Sequence, residues 1–348
     1  MSVSKKTRIF VGMSGGVDSS LAAALLVEQG YSVTGIYMKN WTKDLPGMEC
    51  PWKEDVADAK RVAVQLGIDF EVYDFEKEYF DVVVTYMIEE YKKGYTPNPD
   101  IMCNQEMKFK LFLDTALKNG ADMIATGHYA QSVDGQLLRA RDDTKDQTYF
   151  LYRVTAAALT KTLFPLGQYT KREVREMAAS RGLFTAQKKE SMGICFVGKV
   201  GIKDFLSQYV PTSPGAIIDH DTKEHVGEHD GALFYTLGQR HGLQVGGGLP
   251  YYVVGKNMAK NEVYVSRNLD TPELWRTEIS LHDPHWINDP AQNDQTYHVR
   301  LRHRAPFVPC TLHGSTLTLH HPERAIAAGQ SAVIYDNKIC LGGGIIAL

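Results

Sequence analysis

Residues 8–30, RIFVGMSGGVDSSLAAALLVEQG, decide the fold. An apolar run over 8–13 reads as a strand, and a Ser-Gly-Gly turn follows it directly. Residues 20–29 are strong helix formers closed by Gly30, the residue type favoured just past a helix end. Two consecutive glycines let the backbone turn tightly and present N–H groups with no Cβ in the way. The helix adds unpaired N–H donors and the positive end of its dipole, while Ser14, Ser19 and Ser20 add hydroxyls. Strand, loop and helix in that order predict an anion cradle. It is not a Walker A loop, because no lysine follows the glycines, and it lacks G-x-G-x-x-G spacing. A bare Gly-Gly turn would be ordinary structure, but S-G-G-x-D-S at the end of a first strand is far more specific.

Outward from the loop, strand and helix patterns alternate. Residues 31–39 are β-rich, and 54–66 show helical spacing through Val56, Ala59, Val62, Ala63 and Leu66. A strand over 69–75, a long amphipathic helix over 76–93, a helix over 108–119 and a buried strand over 122–126 follow, the last ending at Gly127-His128. This alternation predicts βαβ units and a parallel sheet covered on both faces. After about residue 198, breaker-rich stretches (211–215, 246–250, 284–290) separate short β runs at 216–219, 251–254, 262–266, 297–302 and 332–335. Such spacing predicts small β domains, the last a barrel. The expected fold class is α/β: a Rossmann-like parallel-sheet domain over 1–205, a small central domain over 206–275 and a C-terminal β-barrel over 276–348.

The 348 residues are 43% hydrophobic and 23% charged, a globular composition with room for two or three domains. A net charge of −3 excludes global basicity but not a local basic face. Arg300, Arg302 and Arg304 alternate along an expected strand and would share one face, either guarding a sheet edge or tracking phosphates. Five cysteines, an odd number with no C-x-x-C pair, argue against a disulfide framework and against iron–sulfur ligation. Without a signal-peptide core or a bilayer-length apolar run, the expected location is the reducing cytoplasm, with no membrane partner. His225 to His229 match H-x-x-E-H, but Gly227 points to a turn, so no metal site is expected there. Gly342 to Gly344 read as a bend in the last strand.

SGGVDSS (14–20) resembles the pyrophosphatase loop (PP-loop) of the N-type ATP pyrophosphatases, which cleave ATP between its α and β phosphates. The resemblance implies adenylation of a substrate oxygen, with Asp18 a Mg²⁺ partner or helix-terminal charge rather than a phosphate ligand. An adenylated oxygen is a leaving group and needs a nucleophile. Cys103 lies in TPNPDIMCN (96–104), read as a proline-stiffened loop leading to a helix at Lys108, with Lys108 and Lys110 favouring its thiolate. Asp100 could hold a proton beside it. Cys195 lies in KKESMGICF (188–196), a glycine-containing turn behind two lysines. Either cysteine alone reads as a small buried hydrophobe. Together, beside an adenylating loop, one could carry a persulfide and the other resolve it. Cys50, Cys310 and Cys340 have no such setting.

These motifs, with YMKNW (37–41), FKLFLDTAL (109–117), IATGHYA (124–130), KDQTYFLY (145–152), YTLGQRHGL (235–243), PERAIAAGQSAVIYD (322–336) and CLGGGII (340–346), closely resemble the tRNA-uridine 2-sulfurtransferases (the MnmA/TrmU family) from about residue 8 to the end. The resemblance implies ATP- and Mg²⁺-dependent thiolation of the wobble uridine, position 34, in tRNAs for Lys, Glu and Gln. It implies ATP binding by Gly12, Met13, Ser14, Gly15, Gly16, Val17, Asp18 and Ser19 with Met38 and Gly127. Asn98, Pro99 and Asp100 would contact the target base, Asp100 as candidate general base. Cys195 would carry a persulfide delivered by a sulfur-relay protein or a cysteine desulfurase, and Cys103 would be the nucleophile that pairs transiently with it. His128, Lys145, Asp146, Gln147, Arg302, His303 and Gln330 would contact tRNA, the last three from a tRNA-binding barrel. One departure is ESMGICF (190–196), where the family pattern often reads DSTGICF; the cysteine is kept. The rival readings are an amide-forming ligase of the same loop class, which would need neither Cys103 nor Cys195, and a nucleotide-responsive RNA-binding protein without turnover.

Overall fold

Strand β1 (Arg8–Gly12) is buried along four of its five residues, as a central strand covered on both faces must be. The computed structural model describes residues 6–44, 50–189, 201–243, 245–246 and 249–347. β2 (Ser32–Lys39), β3 (Asp69–Asp74) and β4 (Met123–Ala125) join β1 in a parallel sheet. β5 (Ala130–Val133) and β6 (Gln136–Arg139) form a hairpin, and β7 (Thr162–Leu163) completes the sheet in the order β3-β2-β1-β4-β7. Helix α1 (Val17–Glu28) carries nine buried residues because it is wedged between that sheet and the helix Lys171–Ser180. Helix α2 (Trp52–Leu66) stops at Gly67, in the left-handed conformation at φ 66°. Strand order reverses between β1 and β4, so the crevice at their carboxyl ends is where such sheets bind ligands.

Helical structure reaches Cys103 earlier than the sequence suggested. The chain turns helical at Pro99 and stays so to Lys118, rather than starting at Lys108. Asn98 caps that start, its Oδ1 accepting from the Asp100 N–H at 3.2 Å, and Pro99 fills the first position, where a missing N–H costs nothing. Residues Cys103–Phe112 adopt π-helical form, a geometry that recurs at functional sites. Cys103 therefore sits inside a helix, 5% exposed, and not on a loop.

The middle of the chain forms a four-stranded sheet from β8 (Gly215–Asp219), β9 (His225–His229), β10 (Tyr252–Asn257) and β11 (Glu262–Ser266), ordered β10-β11-β8-β9. The expected turn at 225–229 is a strand. Gly227 pairs with Ile217, and a Cβ there would lie 3.2 Å from Val245 Cγ2, so the glycine marks close approach of a neighbour.

The last six strands are β12 (Trp275–Trp286), β13 (Thr296–Arg300), β14 (Val308–His313), β15 (Thr316–Arg324), β16 (Ser331–Asp336) and β17 (Ile339–Ala347). They run β12-β15-β14-β13-β16-β17, and β17 pairs back onto β12 to close a barrel. The expected bend at 342–344 is this closure strand. A Cβ on Gly342 would fall 2.1 Å from His285 O, and one on Gly343 2.1 Å from Ala332 O, so the flanking strands leave room only for glycine. β6 of the first domain adds to the barrel through Leu137↔Cys340 and Leu138↔Ile339.

The basic stripe is overturned. β13 ends at Arg300, and residues 301–304 turn, with Arg304 at φ 61°. Arg300 is 6% exposed, 3.1 Å from the carboxylate of Asp146 and 4.0 Å from the centroid of Phe307. Burial beside a carboxylate and an aromatic face takes it out of any row with Arg302 and Arg304.

Candidate active site

Gly15 has φ 73°, and a Cβ on it would stand 2.4 Å from Asp55 O, so the loop shape requires glycine twice over. The Ser14 N–H donates to Ser19 Oγ at 3.1 Å, and the Ser19 and Ser20 hydroxyls donate to the Gly16 carbonyl at 3.2 and 2.8 Å. Three strand ends converge here. A Cβ on Gly12 would lie 3.1 Å from Met38 Cε, and one on Gly127 would lie 2.8 Å from Ser19 N and 2.9 Å from Asp18 C. Met13, Val17 and Ser19 are almost wholly buried, so what they offer a ligand is backbone. Asn40 Oδ1, just past β2, is a buried acceptor with no protein partner, open to a donor from a ligand.

Asp18, in the first turn of α1, accepts from Lys171 Nζ at 2.7 Å on both oxygens and from Tyr129 Oη at 2.9 Å. Sequence reasoning missed both partners. Lys171 is 153 residues away and has no motif around it. The other ends of the same helices are tied by Arg181 and Glu28 at 2.7 Å.

From Gly127 the site continues along the chain into the helix over 99–118. His128 Nδ1 is 2.8 Å from Thr126 Oγ1, and its Nε2 is 3.5 Å from Lys108 Nζ. An ammonium can only donate, so Nε2 accepts and Nδ1 carries the proton. Burial first, then the Lys108 charge, hold His128 well below its usual pKa, which keeps the ring neutral. Burial pushes the Asp100 carboxyl up, and Lys108 pulls it part of the way back. Lys110, expected beside Cys103, pairs instead with Glu106 at 2.6 Å. The adjacent Asn104 donates to Phe150 O at 3.0 Å, and its buried Oδ1 has no protein partner. Lys108 follows Cys103 by five residues, about 7 Å of helix. Lys108, His128, Gly127 and Ser19 are thus linked in turn, Asp100 feels the Lys108 charge, and Cys103 lies on the same helix.

Other residues singled out by sequence lie elsewhere. Asp146 is 1% exposed, accepting from Ala140 N–H, Thr148 and Arg300, so it holds the barrel to the first domain instead of facing solvent. Gln147 Oε1 accepts from the Tyr129 N–H at 2.8 Å, and Lys145, part-exposed, is held by its N–H to Asp142 O at 3.1 Å. His303 packs against Phe150 at 4.4 Å between centroids, the rings tilted by 41°. Burial, then Arg304 and Arg300, lower its pKa to about 4. Gln330 Nε2 donates to Thr96 O at 2.7 Å. Arg302, exposed, and Gln330, half-buried, line a cleft of about 140 Å³ between Thr236-Leu237 of the central domain and the barrel.

Cys195 lies outside the described residues. Lys188, seven positions before it, bonds Asp55 at 2.9 Å and Asp58 at 2.7 Å, beside the carbonyl that abuts Gly15. Burial pushes the Cys310 thiol up to about 12 and the Cys340 thiol further, which suits inert barrel cysteines. Among the described residues, no three His, Cys, Asp or Glu side chains cluster to hold a metal, and no helix is long and apolar enough to cross a membrane.

Three family models tile the chain: a tRNA methyl transferase HUP domain over residues 7–199, a tRNA methyl transferase PRC-barrel domain over 203–267 and an aminomethyltransferase β-barrel domain over 276–346. Their descriptions name methyl transfer, whereas the similar full-length proteins are named for thiolation. The protein called tRNA-specific 2-thiouridylase MnmA in Methylobacillus flagellatus is 47% identical over 98% of this chain and 99% of its own. Those of the same name in Halalkalibacterium halodurans and Chromobacterium violaceum are each 48% identical, over 98% and 99% of this chain and 95% and 93% of theirs. With that identity along almost the whole length, and a glycine loop joined to a buried cysteine helix, the chain belongs to the tRNA-specific 2-thiouridylase family.

Proposed function

We propose that the protein converts the wobble uridine, position 34, of tRNAs for Lys, Glu and Gln into 2-thiouridine, using ATP and a cysteine persulfide. The observation that carries this reading is the run from the phosphate loop through Gly127, His128 and Lys108 to the helix that bears Asp100 and Cys103. In the first step the uridine O2 attacks the α-phosphorus of ATP, and pyrophosphate leaves. Loop N–H groups and the N-terminus of α1 stabilise the phosphate charge. Asp100, its carboxyl pushed up by burial, is suited to accept the N3 proton that O2 attack releases. With both of its oxygens taken by Lys171, Asp18 fits the helix-terminal charge of its two expected roles rather than a Mg²⁺ ligand; Mg²⁺ would be held mainly by the ATP phosphates, whose charge it would neutralise.

In the second step the terminal sulfur of a Cys195 persulfide attacks C2, and AMP leaves. The Cys103 thiolate then attacks the Cys195 sulfur, so that a Cys103–Cys195 disulfide forms and the thiocarbonyl stays on the base. A sulfur-relay protein or a cysteine desulfurase recharges Cys195 after reduction. Lys188 is anchored beside the loop, and seven residues can span up to about 25 Å, a tether long enough for Cys195 to reach the nucleotide.

The test is mass spectrometry of nucleosides after incubation with unmodified tRNA, ATP, Mg²⁺ and a sulfur source. Wild type should yield 2-thiouridine, while Cys103→Ser and Cys195→Ser should yield none yet still exchange pyrophosphate into ATP. Product from the Cys195→Ser variant would remove that residue from the carrier role. Sustained thiolation without both cysteines would overturn the persulfide route, whereas pyrophosphate exchange with no thiolated product from wild type would favour the ligase-like reading.

A further inference from the structure

Every polar group of Thr96 is bonded outside its own domain. Its N–H donates to Ala328 O at 2.9 Å, and its C=O accepts from Gln330 Nε2 at 2.7 Å, both in the barrel. Its hydroxyl lies 2.9 Å from that of Thr236, in the central domain. The barrel turn is pressed onto this point: at Gly329, φ 88°, a Cβ would fall 2.7 Å from Tyr95 Cβ and 2.8 Å from Thr96 N.

The chain beyond Thr96 is stiff. Pro97 and Pro99 have fixed φ angles, and the residues before them, Thr96 and Asn98, are confined to extended backbone. Asn98 then caps the helix that carries Asp100 and Cys103. Displacement of Thr96 is therefore passed to both residues instead of being absorbed by an intervening loop. Two of its three partners, Thr236 and Gln330, also line the cleft between central domain and barrel, alongside Arg302 and Arg324. Two guanidinium groups against the single carboxylate of Glu323 leave that cleft net positive, which suits an RNA backbone phosphate.

We propose that Thr96 is a positioning residue: through it the central and barrel domains set the placement of Asp100 and Cys103, and an RNA phosphate seated in the cleft acts on that helix. The coupling rests on the thiolation reading, which fails separately if wild type makes no 2-thiouridine.

The experiment uses the full chain with Thr96→Val and Thr236→Val, which each delete one hydroxyl at constant shape, and with Thr96→Ser and Thr236→Ser. Each Val variant should lower kcat about fivefold, the worth of one neutral hydrogen bond, leave KM for ATP within about twofold, and be restored by its Ser counterpart. The Val pair together should do no more harm than either alone. A readout independent of turnover is the rate at which a small thiol reagent labels Cys103, followed by peptide mass spectrometry with and without tRNA. In wild type tRNA should change that rate, and in the Val variants the change should shrink. An undiminished tRNA response in the Val variants overturns the proposal. So does an equal kcat loss in the Ser variants, or a kcat unchanged from wild type.

Discussion

Gly127→Ala isolates the contact between β4 and the phosphate loop. Its φ is not in the left-handed range, so alanine meets no backbone strain, and the effect is steric alone. The new methyl would sit 2.8 Å from Ser19 N, 2.9 Å from Asp18 C and 3.1 Å from Ser19 Cα. Unstrained contacts of this kind lie near 3.5–4.0 Å, so the two segments must part by roughly 0.6–1 Å. The β4 side cannot yield. Ile124, Ala125 and Thr126 are at most 3% exposed and are hydrogen-bonded between β1 and β7. The N-terminus of α1 must move instead, carrying the loop with it. Overpacking of this size costs about 1–3 kcal/mol of stability, whereas a 1 Å misplacement of a reacting group costs about a hundredfold in rate. The variant should therefore stay folded at 25 °C while losing about a hundredfold in tRNA-dependent ATP–pyrophosphate exchange. Gly246→Ala, where nothing lies within 4 Å, is the control. Exchange within about twofold of wild type, with an unchanged melting temperature, would refute the placement of Gly127 against the loop.

Two further predictions concern the join between the first domain and the barrel. Arg300→Met leaves the Asp146 carboxylate buried without its cation and should destabilise by about 3–5 kcal/mol in urea titrations, with much of that recovered when Asp146→Asn is added. A loss under about 1 kcal/mol would show the pair to be dispensable. His303 is held at about 4 against 6.5 when unfolded, so the native state binds fewer protons between those values. Its contribution is complete above pH 6.5 and is lost as pH falls toward 4; melting temperatures of His303→Gln should decline less steeply across that window, and parallel curves would contradict this.

Much of the first domain is legible because its signals are local. The alternation of β1, α1, β2 and α2 follows from burial periodicity, and the S-G-G-x-D-S loop announces its own glycine geometry. The closure glycines at 342–344 were visible as a break in pattern, but their purpose depends on β12 and β16, whose paired residues lie 56–58 and 8–12 positions away. The helix start at Asn98-Pro99 was present as a cap signal and was outweighed by two prolines that read as loop. The alternating arginines at 300–304 misled for the opposite reason: the spacing was right for a strand, and the chain turned after Arg300.

The sequence by itself determined the parallel-sheet first domain and the trailing β domains, because glycine freedom, helix propensity and strand alternation act over a few neighbouring residues. Tertiary structure alone decided which charges are neutralised and which backbone is held. It set Lys171 on Asp18, Arg300 on Asp146 and both downstream domains on Thr96. Those pairings join residues about 140–235 positions apart, and their energies depend on burial and distance, quantities that no short window of sequence contains.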